Sequence, residues 1–115
     1  MKHDPMLLQS ILADAAPPGL EVAFRPMFGG RFAYADGKPF ASLSDVGLAL
    51  KFAGSERDAL LAVPGAAPLR YEPDQPASKS YVVVPETMLS EPAELRPWVM
   101  RSVSGLPTKR VRKQA

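Results

Sequence analysis

The side chains in this sequence that could do chemistry are few, and their types and spacing favour binding over catalysis. The one histidine is His3, and there is no cysteine. The body of the chain therefore offers no histidine general base, no thiolate nucleophile and no sulfur-ligated metal site. Serine catalysis lacks both a histidine partner and a Gly-x-Ser-x-Gly elbow. Asp36 and Asp45 fall in turns, Asp58 at a helix start and Glu91 in a first helical turn, all positions where carboxylates serve the backbone. What remains is Gly29-Gly30, whose successive amides could cradle an anion, with Arg25 or Lys51 as counter-charge. This pair precedes a strand and does not open a helix, so it matches neither a Walker loop nor a dinucleotide fingerprint. A bulge or close packing is the other reason for glycine here. No catalytic residue, metal or cofactor is expected, and the chain is read as non-enzymatic.

Charge is distributed unevenly. The 115 residues carry 14 basic and 12 acidic side chains, a net charge of +2. Lys109, Arg110, Arg112 and Lys113 supply four of the basic groups, so residues 1–108 hold 10 basic against 12 acidic ones. The body is mildly acidic and the basicity is a tail. Weak, salt-sensitive nucleic-acid binding is the functional reading of that tail, and solubilisation the plain one. No recognition-helix or base-stacking motif points to specific readout.

Periodicity and punctuation define the elements that must position these groups. Leu7, Leu8, Ile11, Leu12 and Ala15 lie on one helical stripe, with Asp4 as N-cap, Pro5 in the first turn and Pro17-Pro18-Gly19 as the stop. The stripe, interrupted by Gln9 and Ser10, favours an amphipathic helix over a secretory leader, and no apolar run reaches the ~18 residues of a membrane span. Leu20 to Arg25 reads as extended. In the meander that follows, Asp36-Gly37 is a two-residue hairpin turn that pairs Ala35 with Lys38, Tyr34 with Pro39 and Phe32 with Ala41. A second turn, Ser44 to Gly47, sets Leu43 opposite Leu48. Alternation then predicts a core face of Phe32, Tyr34, Ala41, Leu43, Leu48, Leu50 and Phe52. The polar face receives Arg31, Ala33, Phe40, Ser42, Ala49 and Lys51, with Phe40 opposite Lys51. On that face Phe40 is either a contact residue or a side chain covered by the N-terminal segment or a proline-rich loop.

Farther along, Ser55 and Asp58 open a short helix that ends at Pro64-Gly65, and Leu69 to Tyr71 and Ser80 to Val84 read as short strands. Ser90 caps a last helix whose buried stripe is Leu95, Trp98, Val99, Ser102, Val103 and Leu106; Pro97 implies a kink there or a helix that starts at Pro97. The order is helix, three strands, helix, two strands, helix. Hairpin-joined strands with helices on one face predict a two-layer α+β domain over residues 1–106, with a disordered basic tail over 107–115.

Several motifs occur together in order: Arg25-x-Met27-Phe28-Gly29-Gly30, then Asp36-Gly37-Lys38-Pro39-Phe40-Ala41, Leu48-x-Leu50-Lys51, Tyr81-x-Val83 with Pro85-Glu86, and Trp98-Val99. Over roughly residues 6–104 this combination resembles the N-terminal domain of TfoX/Sxy competence regulators. The resemblance implies a two-layer α+β fold similar to type III secretion chaperones, and a regulatory role. There are two departures from the family pattern: a short basic tail where competence regulators carry a second helical domain, and Pro97 in a helix that usually lacks proline. The expectation is a non-enzymatic, cytoplasmic regulatory or protein-interaction module, with a homodimer as one form of it. Arg25, Phe28, Arg31, Phe40 and Lys51 are its expected surface contacts, and Gly29-Gly30 is the alternative anion site.

Overall fold

The computed structural model of the chain describes residues 4–16, 19–27, 30–35, 37–52, 54–70 and 75–105. Its elements are α1 (Pro5–Ala15), β1 (Val22–Met27), β2 (Gly30–Ala35), β3 (Lys38–Ser44), β4 (Gly47–Lys51), α2 (Gly54–Leu61), β5 (Ala67–Pro68), β6 (Tyr81–Val83), α3 (Glu86–Leu89) and α4 (Pro92–Ser104). The strands form one antiparallel sheet in the order β1-β2-β3-β4-β6-β5. The fold is α+β, as the element pattern predicts, and the extended segment before the meander joins it as β1.

Local chemistry sets the ends of α1. The Asp4 carboxylate accepts from the Met6 N–H at 3.0 Å and Pro5 supplies a preset φ with no N–H to satisfy, which together fix the first turn. Leu8, Leu12 and Ala15 are buried, whereas Leu7 is 59% exposed, so the buried stripe is narrower than the periodicity suggests. At the far end, Arg96 of α4 donates from Nε to the Ala15 carbonyl and from Nη2 to that of Asp14, placing a cation on the carbonyl end of α1.

The two hairpins set the register of the sheet, and a bulge changes it once. Ala35 faces Lys38 and Tyr34 faces Pro39, as expected of the turn at Gly37, whose φ is +77°. The next pair is Ala33 with Ala41, followed by Phe32 with Ser42 and Arg31 with Leu43, so Phe40 is an extra residue on β3. Pro39 has no N–H to give the ladder, which makes this the point where a break costs least. Phe40 and Ala41 both enter the core at 0% exposure, beside Ala33. A slip of one residue turns a whole strand over. The expected faces of β2 are therefore reversed: Ala33 and Ala35 are buried, and Phe32 and Tyr34 lie on the face away from the core. The β3–β4 pairing is unaffected, with Leu43 opposite Leu48 and Ser42 opposite Ala49.

The helices cover the other face. Leu8 and Leu12 of α1, Leu60 of α2 and Leu95 and Val99 of α4 join Phe40, Leu43, Leu48, Leu50 and Val82 in a single core. Inside it the Ser102 hydroxyl donates to the Lys51 carbonyl at 2.7 Å and lies 3.3 Å from the Phe40 carbonyl, tying α4 to the strand pair beside the bulge. The last helix runs unbroken through Pro97, with Glu91 at the N-cap position and no side-chain capping bond there. Ser90 instead ends the short helix α3, where its hydroxyl donates to the Thr87 carbonyl. Of the short strand expected at Leu69 to Tyr71, Leu69 and Arg70 belong to no strand and Tyr71 lies outside the described residues; β5 is at Ala67–Pro68, and the Leu69 N–H bonds the Tyr81 carbonyl.

Candidate binding face of the sheet

With β2 turned over, the face away from the helices carries Arg25 from β1, Phe32 and Tyr34 from β2, Ser42 from β3, Ala49 and Lys51 from β4, and Tyr81 from β6. The register aligns Arg25, Phe32, Ser42, Ala49 and Val83 across it, and Lys51 with Tyr81. Phe32 and Tyr81 stand three strand spacings apart, about 14 Å on a flat sheet. Their ring centroids are nevertheless 6.1 Å apart and nearly parallel, at 27°. Both side chains must lean toward each other across β3 and β4, which is possible because the intervening residues, Ser42 and Ala49, are small. Both of those are fully buried although no helix lies over them. Tyr34 meets Phe32 edge-on at 6.5 Å, and the Arg25 guanidinium stacks over the Tyr34 ring at 5.4 Å. The result is a row of three half-buried rings with a stacked cation at one end.

A groove opens at each end of the row. One, of about 540 Å³, is lined by Glu21, Val22, Ala23, Arg25, Tyr34 and Gly37 along the outer strand. The other, of about 200 Å³, is lined by Phe32, Leu69, Arg70, Gln75, Pro76, Ser78 and Tyr81. Charge differs between strands and helices. Every charged residue inside the strands is basic (Arg25, Arg31, Lys38 and Lys51), while Asp14, Glu56, Asp58, Glu86 and Glu94 all sit in helices. The basic residues of the helices are engaged. Arg57 donates to the Ser78 carbonyl, Arg96 to the end of α1, and Arg101 to Glu56 at 2.8 Å while lying 4.4 Å from the Trp98 ring centroid.

The residues singled out from sequence are only partly brought together here. Arg25 and Lys51 share the face. Phe40 does not: the bulge puts it in the core, which rules it out as a surface contact. Arg31, half-buried, falls on the helix side in register with Leu43. Gly30 sits inside the ladder between Met27 and Ser44, and a Cβ there would overlap the Leu43 carbonyl oxygen, so close strand approach is the reason for glycine at this position. Phe28, Gly29, Lys109, Arg110, Arg112 and Lys113 lie outside the described residues. Among the described residues no group of three or more His, Cys, Asp or Glu could hold a metal ion, and no helix is long and apolar enough to cross a membrane. Sequence reasoning missed Phe32, Tyr34 and Tyr81 as surface residues. The signal that could have found the first two is Pro39, a proline inside a strand flanked on both sides by paired neighbours.

The helix layer offers the rival surface. Met6, Leu7 and Met100 are exposed, and a groove between α2 and the end of α4 is lined by Glu56, Pro97, Met100, Arg101, Ser104 and Gly105. Of those exposed apolar residues only Met100 lines the groove. No curated protein and no solved structure matches the chain at a significant level. The family model of the TfoX N-terminal domain matches residues 15–106, a span that runs from the end of α1 through the whole sheet and α4. The motifs around Gly30, the hairpin turn, β4, β6 and Trp98 all fall within that match, and the chain belongs to the TfoX N-terminal domain family.

Proposed function

We propose that the chain is a non-catalytic, regulatory interaction module whose contact surface is the helix-free face of the sheet. The observation that carries this reading is the row Tyr34, Phe32 and Tyr81 with Arg25 stacked at its end and Lys51 beside it. Aromatic and arginine side chains dominate interface energetics, and here they are presented on a rigid sheet and not on a loop. Family membership supports a competence-regulator-like role. The single terminal histidine and the lack of cysteine support a module without chemistry of its own, and a cysteine-free chain suits a reducing, cytoplasmic setting.

Photo-cross-linking in cells tests this reading. A photoreactive phenylalanine analogue replaces Tyr34 or Tyr81 in the full chain, and in parallel variants replaces Leu7 or Met100 on the helix layer. Macromolecular adducts are expected from the sheet positions. Adducts formed only from the helix positions would move the working surface to the other layer.

A further inference from the structure

We propose that the helix-free face binds single-stranded nucleic acid, with bases stacking on Tyr34, Phe32 and Tyr81 and phosphates held by Arg25 and Lys51. The inference rests on the interaction reading above and names its partner.

Three observations support it. The rings form a continuous row across the sheet, with centroid steps of 6.5 and 6.1 Å, and open into a groove at each end, so an extended chain can cross the whole face. Rings on an antiparallel sheet are accessible to splayed bases and not to bases stacked within a duplex. The charge pattern favours a polyanion: the charged strand residues on this face are Arg25 and Lys51, and Glu21 at the rim of the larger groove is the one acidic side chain among the described residues that line it. A second copy of the chain docked face to face would gather Arg25 and Lys51 of both copies in one interface, which like-charge repulsion opposes. Stacking tolerates any base, so binding is expected to show little sequence preference. The residues of this site are not those of the basic tail, whose charges would add only an electrostatic contribution.

The experiment is fluorescence anisotropy with a labelled oligothymidylate single strand and a duplex of equal length. It uses the full-length chain and a full-length variant with Lys109→Ala, Arg110→Ala, Arg112→Ala and Lys113→Ala. The tail-neutral variant is expected to keep a preference for the single strand, with a log–log salt slope of about −1.4 for two phosphate contacts. In that background Tyr34→Ala is expected to weaken binding at least about fivefold, from loss of one stacked base. Tyr34→Leu, which retains apolar bulk without a planar ring, guards against a folding defect and is expected to weaken it similarly. Shifts of the Tyr34 and Tyr81 ring protons on adding the oligonucleotide to the unaltered chain give a readout that needs no substitution. Binding that disappears with the tail charges, or that ignores Tyr34 and treats duplex and single strand alike, overturns the proposal. If the oligonucleotide fails while Tyr34 and Tyr81 still cross-link to protein in cells, the partner is a protein and the interaction reading stands without this inference.

Discussion

At the scale of single residues, Phe40 decides which surface the protein presents. In a regular hairpin it would stand on the polar face opposite Lys51; as the extra residue of a bulge it lies in the core at 0% exposure, level with Ala33 and Ala41. The two positions differ sharply in energy. A buried phenylalanine cut to alanine loses transfer free energy and leaves a cavity, so Phe40→Ala should cost about 3–5 kcal/mol in urea unfolding of the full chain. A surface phenylalanine would cost within about 0.5 kcal/mol, and a loss that small would restore the regular hairpin. Gly30 also takes its meaning from strand contact. Its glycine allows β2 to approach the Leu43 carbonyl, and anion binding is not needed to explain it.

At the scale of elements, the ends of α1 were legible because capping is local: Asp4, Pro5 and the following apolar stripe carry the whole signal. The last helix was read less well, since Pro97 marks a break by every local rule and yet α4 continues through it. Tertiary contacts explain the difference. Leu95, Val99 and Ser102 are buried on one side, and Arg96 holds the end of α1 from the same helix. Pro97 itself is exposed and still lacks the N–H of a helix interior. Pro97→Ala is therefore expected to stabilise the chain by about 1–3 kcal/mol. The check is the thermal midpoint, which should rise; a fall would mean that the ring makes a packing contribution larger than its backbone cost. The reversal of β2 has the opposite origin. Alternation across a hairpin extrapolates from the turn, and one inserted residue inverts everything beyond it, so Phe32 and Tyr34 could not be placed without weighing Pro39 as a break in the ladder.

At the scale of the whole molecule, two layers divide the labour. The helices cover the core, while the far face of the sheet presents aromatic rings with Arg25 and Lys51 over a floor of Ser42 and Ala49. The α+β class was legible from element order alone. Which residues the outer face presents was not, because that depends on the bulge through long-range register. The central claim is that Phe32 and Tyr34 are presented while Ala33 and Ala35 are interior, and thiol accessibility along β2 tests it most directly. The sequence has no cysteine, so Phe32→Cys, Ala33→Cys, Tyr34→Cys and Ala35→Cys each introduce the sole thiol of the chain. In the native protein, thiols at 32 and 34 are expected to react with a maleimide probe, and those at 33 and 35 only after unfolding in denaturant. Labelling at 33 and 35 with protection at 32 and 34 would mean that β2 pairs without the bulge, and the binding face described above would not exist.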